Sequence, residues 1–241
     1  MTTRSSPTGP DCGGVALSFA PEPVVALPSG ALWAPRLRTL AVADLHLGRS
    51  ERVARLGGAL LPPYETAETL DRLAAEVAAC DPDTVVCVGD SFDDDRAARA
   101  LDPSARAALA ALADGRRWIW IGGNHDPSAP DDLPGAAAAE LSEGGLTFRH
   151  IAAPDAAPGE VSAHFHPKAT LTLRGRRIAR RCFLFDRRRI ILPAFGAYTG
   201  GLDAADPAFD ALLGPEAAAA LLGPRVTLAQ RAALTPRGAC A

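Results

Sequence analysis

The chain has 241 residues and a mass of 25.0 kDa, enough for one substantial core and too little for two ordinary domains with a linker. With 48% apolar and 22% charged residues it does not fit a disordered protein, and no uninterrupted apolar run nears the roughly 18 residues of a membrane span. The net charge of −3 argues against an evenly basic nucleic-acid binder, yet residues 174–189 hold eight arginines against one acid, Asp186.

Residues 1–14 read as a disordered leader: the first ten are Thr/Ser/Pro-rich and lack the apolar stretch of a secretion signal. Five scattered cysteines (Cys12, Cys80, Cys87, Cys182, Cys240) form no C-x-x-C pair. They favour a reducing cytoplasm over a disulfide framework or zinc knuckle.

The first half alternates strand and helix. Residues 39–43 close at Asp44, residues 85–88 at Gly89 and Asp90, and residues 118–121 at Gly122, Gly123 and Asn124. Short β-branched or aromatic runs ended by Gly, Asp or Asn read as buried strands. Between them, Ala67, Leu70, Leu73, Ala74 and Val77 keep helical spacing. A second helix has Asp102 as N-cap, Pro103 in its first turn and Gly115 past its end. This order predicts a parallel sheet buried on both faces.

From Leu146 the pattern changes to strands at 146–149, 161–163, 170–174, 178–185 and 190–193, with hairpin tips at Gly175–Arg176 and Asp186–Arg187. Two short helices are predicted next, one starting at Asp206–Pro207 and separated from the other by Gly214–Pro215. Residues 15–223 therefore read as a single domain of two packed sheets with helices outside, and 224–241 as a loose tail.

The chemistry lies at the strand ends. Asp44 and His46, then Asp90, then Asn124, His125 and Asp126 follow three strands whose carboxyl ends should share one edge. His150 ends a later strand, and His164 and His166 stand two apart, on one face of an extended chain. These five are all the histidines in the protein. Oxygen and imidazole donors without a placed thiolate suit Mn2+, Fe2+ or Zn2+, and their number suits two ions. Two dications about 4 Å apart repel by roughly 16 kcal/mol at an effective dielectric of 20, so anionic oxygens must lie between them.

D-x-H (Asp44, His46), G-D-x-x-D (Gly89, Asp90, Asp93), G-N-H-D (Gly123 to Asp126), His150 and H-x-H (His164, His166) occur in the order of the calcineurin-like metallophosphoesterase superfamily, which the chain resembles. LPPYET (61–66), VGDSF (88–92), HFHPKA (164–169) and LPAFGAYTGG (192–201) are similar to the ligase-associated DNA damage response endonuclease family. The resemblance implies a four-layer αββα sandwich of two mixed β-sheets flanked by helices. It assigns Asp44, His46 and His166 to one divalent ion, Asn124, His150 and His164 to a second, and Asp90 to both, with Mn2+ the expected metal. His125 would serve the leaving-group oxygen, oriented by Asp126, with Asp93 behind the ligands. One departure is Ala163, where the superfamily usually has glycine; it asks for a backbone without positive φ there.

Arg49 could reach a substrate phosphate or sit as a solvated loop arginine, and Tyr198, among glycines, could line the cleft. The arginine cluster fits a phosphate-tracking surface or the charge that keeps edge strands apart. Trp118 and Trp120 read as at least partly core, and Cys87 as a small core residue. Three functions compete: a DNA endonuclease, a phosphoesterase acting on a small phosphoester or cyclic nucleotide, and a non-catalytic DNA-binding scaffold with structural metals. Family resemblance implies a DNA substrate and, as partners, an ATP-dependent DNA ligase, a helicase and an exonuclease, with no membrane involvement.

Overall fold

The computed structural model describes residues 13–17, 19, 22–127, 131–173 and 176–234. Seven strands form a first sheet in chain order: β1 (Val15–Leu17), β2 (Val24–Ala26), β3 (Leu32–Ala34), β4 (Thr39–Val42), β5 (Thr84–Val88), β6 (Arg117–Ile121) and β7 (Ala136–Ala138). β1 to β4 pair antiparallel and β4 to β7 parallel. The three expected strands are β4, β5 and β6. β1, β2, β3 and β7 have three residues each, too few for an alternation to show in the sequence.

Four helices lie among these strands: α1 (Arg49–Arg55), α2 (Glu65–Cys80), α3 (Asp95–Arg99) and α4 (Pro103–Ala113). α2 buries Leu70, Leu73 and Val77 against Leu40, Val42 and Val85, and Leu109 of α4 joins the same core. α4 begins as its sequence predicts. The Asp102 carboxylate accepts the Ala105 amide at 2.9 Å, Pro103 occupies the first turn, and Gly115 is left-handed at φ 68°. Trp118 and Trp120 both belong to this core, and the Trp120 indole donates to the Pro134 carbonyl at 2.9 Å. Cys87 is fully buried there too, which pushes its thiol pKa up.

The second sheet contains β8 (Glu140–Glu143), β9 (Leu146–Arg149), β10 (Glu160–Ser162), β11 (Lys168–Leu173), β12 (Arg176–Phe185), β13 (Arg189–Ile191), β14 (Ala218–Leu221) and β15 (Thr227–Gln230). Its spatial order is β15-β14-β12-β13-β10-β9-β8, with β11 paired only to β12; β9, β10 and β13 are mutually parallel and the other pairs antiparallel. Val86, Val88, Ile119 and Ile121 meet Leu146, Phe148, Phe183 and Ile190 in a core between the two sheets. The result is the expected sandwich of two mixed sheets. Its outer layer over the second sheet is thin: a 3-10 turn at Pro207–Phe209 and its flanking loops bury Phe209 and Leu213 against Cys182, Leu184 and Ile191.

Two expectations about the C-terminal part need correction. The helix predicted after Gly214–Pro215 is the strand β14, despite its alanines. Ala219 faces the outer core and Ala220 the core between the sheets, so pairing with β12 overrides helix propensity. Nor is the segment from 224 loose throughout, because Thr227–Gln230 pairs with β14. Residues 1–12 of the expected leader, Arg174 at the end of the expected strand 170–174, and Gly175 of the expected hairpin tip lie outside the described residues.

Candidate metal centre

The carboxyl ends of β4, β5 and β6 open onto one edge, where β9 and β10 from the second sheet also end. Backbone pairing continues past the strands: the Asp44 amide donates to the Gly89 carbonyl at 3.1 Å and the His46 amide to the Asp90 carbonyl at 3.0 Å. The donor side chains do not sit on relaxed backbone. Asp44, His46, Asp90, His164 and His166 all have φ between 45° and 71°, a region β-carbon-bearing residues rarely occupy. Ala163 is not among the positive-φ residues; His164 makes that turn instead, at φ 71°.

Two groups of donor atoms gather there. Asp44, His46, Asp90 and His166 place one ligand atom each within 4.8 Å of one another, and so do Asp90, His150 and His164; Asp90 is common to both. In the first group His46 Nε2 and His166 Nε2 face each other at 3.4 Å. Asp44 Oδ1 is wholly buried and accepts no hydrogen bond, although His166 Nε2 lies 3.3 Å away. In the second, Asn124 Oδ1 lies 3.0 Å from His150 Nε2 and 2.8 Å from His164 Nδ1, and His150 Nε2 is 3.4 Å from Asp90 Oδ2. Lone pairs converging on shared points, with a buried carboxylate oxygen left unsatisfied, are what divalent cations would satisfy.

The surroundings fix which nitrogen faces inward. His46 Nδ1 lies 2.9 Å from Asp93 Oδ1, and His150 Nδ1 lies 3.3 Å from the Val88 carbonyl, so each ring presents Nε2 to the centre. A third group, His46, Asp93 and His125, also has ligand spacing. Its carboxylate, however, already meets Arg49 at 2.9 Å and Arg52 at 3.2 Å. Burial alone would raise the Asp93 carboxyl pKa, but His46 and these arginines outweigh it and hold it at about 2. Asp90 behaves likewise: burial opposes ionisation, while the His150 ring and the His125 amide hold its carboxyl at about 2.

Three sequence expectations change. Asp126 does not orient His125. His125 Nδ1 donates to the Asp93 carbonyl at 2.8 Å, whereas Asp126 turns under the loop and accepts the Phe92 amide at 3.0 Å. Arg49 is directed at Asp93, not toward open space above the centre. The arginine cluster is not one surface: Arg189 is buried beside Glu160, and Arg188 donates to the Ala156 carbonyl at 2.6 Å. Tyr198 stands half-buried, two residues beyond Gly196, whose amide donates to the Asp44 carbonyl at 3.1 Å.

Two glycines matter for the space they leave. A side chain on Gly123 would overlap Asp90 Oδ1, and one on Gly89 (φ 74°) would overlap the His150 ring. Arg72 and Arg181 also act at a distance from their own strands and helices. Both donate to the Phe195 carbonyl, with Arg181 also on the Ala194 carbonyl at 2.8 Å, clamping the loop that supports Asp44.

The family model of the calcineurin-like phosphoesterases matches residues 37–178, more than half of the chain and every candidate ligand. The chain belongs to that family. The crystal structure of Pseudomonas putida nuclease MPE is similar, with a TM-score of 0.66 and 26% sequence identity, covering 90% of this chain and 100% of that one. No curated protein sequence matches. This phosphoesterase is thus a hydrolase of phosphoester bonds that depends on divalent metal ions. No helix among the described residues is long and apolar enough to cross a membrane.

Buried Asp126 gives the metal-free enzyme a measurable pH signature. Burial, aided by the charge of Asp90, pushes its carboxyl from the usual 3.8 up to about 7, against the Phe92 and Ser91 amides that favour the anion. Between those values the folded chain holds a proton that the unfolded chain has released, so stability falls as pH rises from about 4 to about 7. Thermal melts in EDTA should show a decline of about 2–4 kcal/mol across that interval. Asp126→Asn should flatten it; an unchanged slope in the variant would assign the decline elsewhere.

Proposed function

We propose that the chain is a cytoplasmic, dinuclear-metal phosphodiesterase that uses Mn2+ to cut DNA in a ligase-associated repair system. The observation that carries this reading is the pair of donor groups sharing Asp90, with His125 beside them at 5.0 Å between its ring centre and that of His46. Asp44, His46 and His166 would hold one ion, Asn124, His150 and His164 the other, and Asp90 both. Oxygen and imidazole donors suit Mn2+, and no cysteine joins either group among the described residues. When bound, such ions bring a water molecule toward ionisation near neutral pH and draw charge from the phosphate oxygens.

His125 has the placement of a proton donor. Its Nδ1 is held by the Asp93 carbonyl and its amide by Asp90 Oδ1 at 2.9 Å, so ring Nε2 is the atom left to protonate a departing oxygen. The segments resembling the ligase-associated family brace the centre. Thr66 Oγ1 in LPPYET accepts the Gly48 amide at 3.0 Å, and the adjacent Glu65 accepts the Ser50 amide at 3.1 Å. In LPAFGAYTGG, Phe195 and Gly196 donate to the carbonyls of Ala43 and Asp44. Likeness to a nuclease supports a nucleic acid as substrate, and the narrower resemblance supports DNA, with an ATP-dependent DNA ligase, a helicase and an exonuclease as partners.

The test compares three substrates with added Mn2+: bis-(p-nitrophenyl) phosphate, mono-(p-nitrophenyl) phosphate and supercoiled plasmid. The expected result is diester turnover well above monoester turnover, plasmid nicking, and loss of both on adding EDTA. Diester turnover with intact plasmid would leave a small-phosphoester enzyme. No metal-dependent turnover at all would leave a scaffold.

A further inference from the structure

The arginines near residue 180 separate into two kinds once folded. Arg181, Arg188 and Arg189 hold backbone carbonyls or a buried carboxylate. Arg176, Arg177 and Arg180 lie on the exposed outer half of β12, where Arg180 donates to its neighbour's carbonyl, that of Ala179, at 3.2 Å. There the strand has left the sheet and pairs only with β11, Arg176 opposite Leu173 and Arg181 opposite Lys168. Only Cys182–Phe185 pairs with β14. The result is a two-stranded ribbon about 20 Å long at 3.4 Å per residue, packed at its base through Ala169 and Thr170.

Its composition and position both point to a ligand. Residues 161–185 contain no Asp or Glu, one lysine and five arginines. Residues 176–180 are exposed on both faces, including Ile178 at 37%. The β11 strand anchors the ribbon by burying Ala169 and Thr170, whereas the facing half of β12 presents its side chains to solvent. The ribbon is rooted at the centre, since β11 starts two residues after His166. Arg177 shares a face with Arg181, which turns toward the loop supporting Asp44. Whatever the ribbon holds therefore leads into the phosphodiester site.

We propose that the β11–β12 ribbon is a DNA-binding arm, in which Arg176, Arg177 and Arg180 neutralise backbone phosphates beyond the scissile bond. Arg176 and Arg180, four residues apart on one face, are about 13 Å apart, close to four phosphate steps of about 3.4 Å along a strand, while Arg177 lies on the opposite face. A two-stranded ribbon also has the width that the DNA major groove admits. The proposal rests on the reading of the enzyme as a DNA nuclease.

The test uses the full chain with Mn2+ and the triple variant R176Q/R177Q/R180Q. Turnover of bis-(p-nitrophenyl) phosphate should stay within about 2-fold of wild type, since no altered side chain belongs to the metal centre. KM for DNA should rise at least about 10-fold, and the slope of log affinity against log salt should become shallower by about 2–3. Arg187→Gln, an exposed arginine off the ribbon, should leave both unchanged. Unaltered DNA KM and salt slope in the triple variant would overturn the arm, as would an equal effect from Arg187→Gln. Binding of the ribbon to anionic phosphatidylglycerol vesicles that DNA does not displace would overturn it in favour of a lipid surface. If wild type turns over the small diester but neither binds nor cuts DNA, the nuclease reading itself fails; if wild type cuts DNA and the triple variant cuts it equally, only the arm fails.

Discussion

Asp90→Asn is expected to lower diester turnover by at least about 10³-fold, or some 4 kcal/mol of barrier, and to leave the purified protein with fewer than two divalent ions per chain. Asp90 is the one residue common to both donor groups, so it is the anion positioned to separate two dications. Asparagine keeps the shape and one acceptor oxygen, which can still take the His125 amide that Asp90 Oδ1 accepts at 2.9 Å. The loop carrying Asn124 and His125 should therefore remain in place, and what is lost is the charge. Without it, two ions about 4 Å apart retain most of a repulsion of roughly 16 kcal/mol at a dielectric of 20. Metal analysis and turnover should fall together. A variant holding two ions and working at the wild-type rate would remove Asp90 from the bridging position.

The site was legible in the sequence because its side chains follow recognisable strand ends and because the chain has only five histidines. The structure brings all five into the three donor groups. What could not be read was whatever depends on backbone atoms, on empty space or on the return of a distant segment. The group that orients His125 is a main-chain carbonyl, invisible to a search for an Asp–His pair. Gly89 and Gly123 look like turn residues, yet each leaves room for a candidate ligand's side chain, His150 or Asp90. Arg72 and Arg181 meet on the Phe195 carbonyl from α2 and β12, 109 residues apart in the chain. In the fold, the same limit explains β14: the Ala-rich segment is helix-forming alone and becomes a strand only beside β12. The arginine run illustrates it again, because density along the chain is not density on a surface once strand and turn send neighbours to different sides.

His125→Ala should leave both metal ions in place and lower DNA cleavage by about 10²- to 10⁴-fold, the range expected when a positioned proton donor is removed. The prediction separates His125 from the ligands, although His125 shares a donor group with His46 and Asp93. In that group the Asp93 carboxylate is matched by Arg49 and Arg52, and its carbonyl accepts a hydrogen bond from His125 Nδ1, so Nε2 is the ring nitrogen left to face the substrate. The decisive comparison is between leaving groups. A nitrophenolate departs at neutral pH without a proton, whereas a deoxyribose oxygen needs one. The variant should therefore lose far less activity on bis-(p-nitrophenyl) phosphate than on DNA. An equal loss on both substrates with metal content intact would make His125 a contact to the phosphate and not a donor to the departing oxygen. Loss of an ion would make it a ligand, and the centre would then extend toward Asp93.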